Sequence, residues 1–323
     1  MIYAALKWIT GIALHWFYGD IRIVGKERIP AQGPLLIAVN HQNALVDSLI
    51  VGWVVPRRIA MTAKATLADN PLIAFLFRIL HVVPLRRVSD EATKQNGLPV
   101  DRSRNREAFS EIVNLLGQGG AVLIFPEGKS HNEFGLEPLK TGLARLALQA
   151  RDKGIKGIRI LPLGLVFEDK GTPGSAVGAR IGEAIEMDSW SIADHTALTD
   201  EIANRLRAVS EIAGLPPKGS SSHEPPKDSI RERLIASAAW WGRLTHQTPV
   251  RIARSLAVKR STNADEPAML TILFGIGLVL VTYVIHLAIV GALGHSILID
   301  ALYLLGLLTG AYWAAFEQHP RRY

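Results

Sequence analysis

Three short apolar runs, each ending abruptly in polar or charged residues, constrain this chain more than any other feature. Leu35 to Val39 and Ala121 to Phe125 are wholly apolar, and Ile158 to Val166 is a longer third. Runs of this length bounded by turn residues read as buried strands. Ala179 to Glu183 reads as a fourth. Ile59 to Lys64 and Val82 to Leu85 read as further short strands, and Asp20 to Ile29 as a strand pair leading in. Between these runs the apolar spacing is helical. Ala108, Phe109, Ile112, Val113, Leu115 and Leu116 form one stripe, closed by Gly117, Gly119 and Gly120. Leu49 to Val55, Lys140 to Ala150 and Thr199 to Ala213 read as helices too. So does the stretch from Asn70 to Leu80, with Asn70 as cap and Pro71 at the first helical position. Lys94 to Asn105 reads as a polar loop. Strands alternating with helices predict an α/β domain, placed over residues 19–213.

The two ends of the chain read differently. Ala268 to Leu293 and Ile297 to Phe316 are apolar runs, each long enough to cross roughly 30 Å of hydrocarbon. They predict a transmembrane helical hairpin over residues 268–316. Arg251, Arg254, Lys259 and Arg260 flank its entry, and Arg321 and Arg322 its exit. By the positive-inside rule both ends face the cytoplasm, and so would the domain that precedes them. Residues 1–18 carry Trp8, Trp16, Phe17 and Tyr18, which suit a membrane interface, and predict an uncleaved membrane-associated helix. Residues 214–228 are rich in proline and serine and read as a linker. Residues 229–262 have helical spacing with Trp240, Trp241 and several arginines, and predict a basic amphipathic segment near a membrane surface. A hydrophobic content of 48% agrees with membrane contact. The net charge of +7 then fits anionic lipid or a phosphorylated substrate better than nucleic acid. The chain has no cysteine, which excludes thiol nucleophiles and disulfides, and no histidine spacing that resembles a metal site.

Polar residues with chemical potential cluster where the apolar runs stop. Asn40-His41 follows the first run, and Asp47 stands six residues after the histidine. A neutral imidazole accepts a hydroxyl proton near neutral pH, and a carboxylate on its other nitrogen orients it and stabilises the imidazolium. Arg86 and Arg87 follow Val82 to Leu85, and Pro126-Glu127-Gly128-Lys129-Ser130-His131 follows the second run. In open α/β sheets ligands gather at the carboxyl ends of strands. There Gly128 lets backbone approach an anion, while Lys129, Arg87 and Lys64 supply charge. Gly128-Lys129-Ser130 is not a P-loop, because Leu123 stands where that motif needs glycine. No Gly-x-Ser-x-Gly elbow is present either.

Asn40-His41-x5-Asp47, Pro84-Leu85-Arg86-Arg87, Phe125-Pro126-Glu127-Gly128 and Leu161-Pro162-Leu163-Gly164 stand in this order. Together they resemble the glycerol-phosphate/lysophosphatidate acyltransferase superfamily over about residues 15 to 190. The resemblance implies a mixed sheet flanked by helices. It also implies transfer of a fatty acyl group from acyl-CoA or acyl carrier protein, as co-substrate, to glycerol 3-phosphate or a lysophospholipid, with no cofactor or metal. It makes His41 the general base and Asp47 its orienter. Arg87 becomes the second-motif arginine, with Arg86 a weaker neighbour, and Glu127 and Gly128 part of the acceptor-phosphate site. Pro162 takes a structural place, near the acyl donor. Members commonly separate the histidine and aspartate by four residues, and many carry Thr-Arg after Glu-Gly. The five-residue spacing here, with Lys129-Ser130-His131, looks like the branch of yeast-type glycerol-3-phosphate/dihydroxyacetone-phosphate acyltransferases. That leaves the phosphate to Lys129 or Arg87. The implied location is a bacterial inner membrane, with the catalytic domain on the cytoplasmic face. The competing readings are a non-catalytic lipid-binding membrane protein and a lysophospholipid hydrolase.

Overall fold

The computed structural model describes residues 2–65, 82–85, 104–131, 135–191, 193–212, 214–216, 230–261, 266–294 and 296–316. The expected helix from Asn70 to Leu80, Arg86 and Arg87, most of the polar loop and of the linker, and Arg321 and Arg322 lie outside the described residues, as does the Lys64 side chain.

Helix α1 (Ile2–Phe17) leads into strand β1 (Asp20–Val24), and β2 (Leu35–Val39), helix α2 (Ala44–Val54), β3 (Ile59–Lys64) and β4 (Val82–Leu85) follow. Helix α3 (Arg104–Gly117), β5 (Ala121–Ile124), α4 (Gly142–Asp152), β6 (Arg159–Phe167), β7 (Ala176–Ile181), β8 (Ile185–Glu186) and α5 (His195–Ser210) complete the domain. Three helices end the chain: α6 (Ile230–Arg260), α7 (Glu266–Ala292) and α8 (Ile297–Phe316).

The described strands form one mixed sheet in the order β1-β7-β6-β2-β5-β3-β4, with β8 on β6. Five of them, β6, β2, β5, β3 and β4, run parallel; β7 runs against β6. The parallel run explains why β2 and β5 carry no polar residue: helices cover both faces. Along β2 the side chains alternate between two cores. Leu35, Ile37 and Val39 face α1 and α2, where they meet Leu14, Phe17, Ile50 and Val54. Leu36 and Ala38 face α3, α4 and α5, where they meet Ile112, Leu116, Leu146 and Leu198. Burying each large aliphatic side chain contributes roughly 1.5–3 kcal/mol.

Two expectations change. Asp20 to Ile29 is one strand, not a pair. Gly25 turns the chain at φ +81, and a 3-10 turn at Lys26–Arg28 takes the place of the second strand. A Cβ at Gly25 would stand 2.4 Å from the Ile181 carbonyl oxygen, so only glycine fits. The aromatic residues of α1 do not form an interfacial belt. Phe17 and Tyr18 are buried in the protein, Trp16 donates to the Ala311 carbonyl at 3.2 Å, and Trp8 alone of the four is exposed.

Helix α6 is a single long helix over Ile230–Arg260. It packs lengthwise on both α7 and α8. Gly242 and Gly310 permit the α6–α8 crossing, where a Cβ at Gly242 would stand 1.9 Å from the Gly310 carbonyl oxygen. His246 Nε2 and Tyr283 Oη, 2.7 Å apart, tie α6 to α7. Helices α7 and α8, of 27 and 20 residues, are long and apolar enough to cross a membrane. Ala268 and Ile272 at the start of α7 belong to the core beneath α1 and α2, so this pair of helices is docked on the domain.

Candidate active site

Because β2, β3, β4, β5 and β6 run parallel, their carboxyl ends meet at one edge of the sheet. The turn after β2 is fastened there by Asn40. Its amide donates to the Leu165 carbonyl at 2.9 Å and its Oδ1 accepts the Leu165 N–H at 2.7 Å, so a side chain extends the β2–β6 pairing by one step. His41 follows, and three residues later α2 begins. Asp47 lies in the first turn of α2, where the helix dipole favours a carboxylate.

Asp47 is fully buried. Its Oδ2 accepts the Gln42 N–H and the Asn43 N–H, both at 2.8 Å, and stands 2.9 Å from His41 Nδ1. An oxygen that already accepts two N–H groups acts as an acceptor for the ring as well, so Nδ1 carries the proton. The lone pair is then on Nε2, which has no hydrogen-bond partner among the described residues. The His41 ring stacks on Phe125, with centroids 3.9 Å apart and planes 15° from parallel. The extra residue between histidine and aspartate coincides with backbone strain. Ala44 adopts φ +43, the single non-glycine residue at positive φ among the described ones.

Glu127 holds groups of the protein itself. It is 1% exposed, and the protein itself uses both of its oxygens. Oε1 accepts the His41 backbone N–H at 2.7 Å. Oε2 accepts the Glu137 N–H at 2.9 Å and lies 2.5 Å from His131 Nε2. The His131 N–H in turn donates to the His41 carbonyl at 3.1 Å. Both peptide groups of His41 are thus held by the loop after β5, and Glu127 is one of the fasteners.

Three further residues enclose the loop, and nothing in their local sequence marks them. The Lys170 ammonium donates to the Gln42 carbonyl at 2.7 Å and the His131 carbonyl at 3.3 Å. The Asn43 amide donates to the Tyr18 hydroxyl at 2.9 Å and the Lys170 carbonyl at 3.2 Å. Burial, reinforced by the Asp47 charge, pushes the Tyr18 phenol well above its ordinary pKa, so it stays a neutral partner.

A buried carboxylate orienting an imidazole whose other nitrogen is free, at the carboxyl edge of an α/β sheet, is an arrangement for taking a proton from a hydroxyl. Residues 20–166, which contain all of it but Lys170 and Tyr18, match the model of the family described as Acyltransferase. They are an Acyltransferase-family domain. Among curated relatives, glycerol-3-phosphate O-acyltransferase 1 of Saccharomyces cerevisiae is 22% identical over 298 residues, covering 65% of this chain and 39% of that protein. The 1-acyl-sn-glycerol-3-phosphate acyltransferase of Limnanthes douglasii is 27% identical over 144 residues, covering 44% of this chain and 46% of that protein. The chain therefore spans less than half the length of these relatives. The crystal structure of the 1-acyl-sn-glycerophosphate (LPA) acyltransferase PlsC from Thermotoga maritima shares its fold. The TM-score is 0.52 at 22% identity, over 67% of this chain and 82% of that one.

The acyltransferase domain brings together His41, Asp47, Glu127 and Gly128, whose φ of +80 turns the loop. Lys129 is on the same loop, exposed, and paired with Glu137 at 3.0 Å. Ser130 is half-buried beside it. Lys64 closes β3, next to β5, at the same edge. Pro162 lies within β6, opposite Ala38 of β2, which agrees with a structural place.

Proposed function

We propose that this protein is a membrane-bound O-acyltransferase of phospholipid synthesis. It moves a fatty acyl group from a thioester, acyl-CoA or acyl carrier protein, to a hydroxyl of glycerol 3-phosphate or 1-acylglycerol 3-phosphate. The observation that carries this reading is the His41–Asp47 pair, with Nδ1 engaged and Nε2 open. The activities named for the relatives support the acceptor class. The two long apolar helices, whose domain-side ends are the start of α7 and the end of α8, support a membrane placement with the domain on the cytoplasmic face.

In this mechanism His41 Nε2 takes the acceptor hydroxyl proton as that oxygen attacks the thioester carbonyl. Asp47 holds the ring and stabilises the imidazolium. The tetrahedral intermediate collapses with cleavage of the C–S bond, and the imidazolium returns its proton to the leaving thiolate. This is two-thirds of a serine-hydrolase triad, with the substrate alcohol in the place of the serine. Lys129, released from Glu137, and the arginines after β4 are the cations that would receive the acceptor phosphate.

The test is acyl transfer from labelled palmitoyl-CoA by membranes holding the protein, with glycerol 3-phosphate or 1-acylglycerol 3-phosphate offered separately. His41→Ala serves as control. Label in lysophosphatidate makes it a first-step enzyme, and label in phosphatidate alone a second-step enzyme. Product formation unaffected by His41→Ala would overturn the mechanism.

A further inference from the structure

The two peptide groups that donate to Asp47 Oδ2 are each held from their other side. The His41–Gln42 peptide donates through the Gln42 N–H, and its carbonyl accepts the His131 N–H at 3.1 Å. The Gln42–Asn43 peptide donates through the Asn43 N–H, and its carbonyl accepts from the Lys170 ammonium at 2.7 Å. Hydrogen bonds from an ionised donor are shorter and roughly twice as strong as neutral ones. A donor on the carbonyl also polarises the peptide and strengthens the N–H at its far side. A single peptide group therefore links the Lys170 ammonium to the Asp47 carboxylate.

The turn needs this hold. Ala44, directly after Asn43, stands at φ +43, and strained backbone persists only where its surroundings over-determine it. Asn43 begins α2 without a side-chain cap bond to the helix. Its amide goes instead to the Tyr18 hydroxyl and the Lys170 carbonyl. Lys170 also donates to the His131 carbonyl at 3.3 Å, so it joins the turn after β2, the loop after β5 and its own loop between β6 and β7. Ordering a lysine side chain costs rotamer entropy, and a fixed backbone at its base limits what must be ordered. Here Asp169 accepts the Gly171 and Thr172 N–H groups at 3.0 and 3.1 Å, and the Gly174 N–H donates to the Phe17 carbonyl at 2.7 Å.

We infer that Lys170 is a positioning residue of this site: its ammonium fixes the Gln42–Asn43 peptide, and that peptide fixes the Asp47 carboxylate against His41 Nδ1. The inference rests on the reading of His41 as the base of acyl transfer. Lys170 stands outside residues 20–166, the part of the chain that matches the family. A residue that acts in this way sets the orientation of the base and leaves acceptor binding alone. Its loss is therefore read in kcat and not in KM.

The experiment compares Lys170→Met, which keeps the stem and removes every donor, Lys170→Gln, which keeps a neutral donor, and Lys170→Arg, which keeps the cation. Each full chain, in detergent micelles, is assayed for acyl transfer to glycerol 3-phosphate and to 1-acylglycerol 3-phosphate, with His41→Ala beside it. Melting curves and hydrogen exchange over residues 40–47 are recorded on the same samples. Lys170→Met should lower kcat roughly 10- to 100-fold with the acceptor KM within about twofold, since small misplacements in a site cost on this order. Exchange over residues 40–47 should quicken in Lys170→Met while the melting curve shows a folded protein. Lys170→Arg should restore most of kcat and Lys170→Gln less, and this comparison decides if Lys170→Met does not fold. Unchanged kcat in Lys170→Met, a raised KM at intact kcat, or Lys170→Gln equal to Lys170→Arg would overturn the inference. If the parent shows no transfer that depends on His41, the acyl-transfer reading fails on its own. Exchange then decides: quickened in Lys170→Met, it upholds the grip of Lys170 on the turn, and equal to the parent's, it overturns it.

Discussion

The backbone N–H of His41 donates to Glu127 Oε1 at 2.7 Å, so the His41 imidazole is carried by a peptide anchored on the neighbouring strand's loop. The second half of the clasp is the His131 N–H on the His41 carbonyl. Glu127→Ala leaves at least two N–H groups without acceptors in a buried place. A loss of roughly 2–5 kcal/mol follows. A fastening role also predicts the kinetic signature: kcat falls with the melting temperature while the acceptor KM stays near its original value. A KM that rises with stability intact would show Glu127 meeting the substrate. Glu127→Gln, which keeps an acceptor oxygen, loses less of both.

Asp47→Asn preserves shape but replaces an all-acceptor carboxylate by an amide. The Gln42 and Asn43 N–H groups, which already share Oδ2 with the His41 ring, can keep the one remaining oxygen, but the negative charge that stabilises the His41 imidazolium is lost. Turnover should drop roughly 100- to 10,000-fold, comparable to loss of the base itself. Single-turnover acyl transfer beside a melting curve separates this effect from unfolding.

Tyr18 links the end of α1 to the His41 loop through Asn43. Tyr18→Phe removes one acceptor and one donor and should cost about 1–2 kcal/mol. The pH dependence has a definite sign. The folded state holds the phenol proton above the ordinary pKa of 10.0, whereas the unfolded chain releases it there. The stability tied to this proton is complete below pH 10.0 and is lost as pH climbs from that value through the raised folded pKa. Unfolding measured from pH 8 to 11 should therefore decline less steeply in Tyr18→Phe.

Ala44 at φ +43 is expected to reveal its strain by substitution. Glycine meets no penalty there, so Ala44→Gly should be neutral or stabilising by up to about 1 kcal/mol. Ala44→Val should destabilise by roughly 1–3 kcal/mol and shift Asp47 away from the imidazole. Melting curves and the activity ratio of the two variants check this. Equal behaviour of glycine and valine would show the turn to be unstrained.

The sheet was legible because β2 and β5 are apolar throughout, and the contact between His41 and Asp47 because the two are close in sequence at a strand end. What escaped depends on distance along the chain. Lys170 stands 128 residues from Gln42, and its donation to a backbone carbonyl leaves no side-chain pattern to read. The hold of Glu127 on the His41 peptide was not legible, because a motif position does not reveal which backbone groups a carboxylate meets. Tyr18 looked interfacial for want of any sign that its hydroxyl meets Asn43. The α6 packing was hidden because its small residues, Gly242, Ala253 and Ala257, carry weight through how closely they let other helices approach.

The clasp on His41 divides the site into two parts with separate foundations. His41 belongs to the β2–β5 pair, and Asp47 rides on a helix joined to it by a short turn. A site assembled this way tolerates drift in chain length at the joint. The helix start can gain or lose a residue, as long as one backbone angle absorbs the offset and returns the carboxylate to Nδ1. His41 does not move meanwhile. The distance between histidine and aspartate along the chain is thus a loose parameter of the machinery, whereas the spacing from Glu127 to His131, which closes the clasp, is a rigid one.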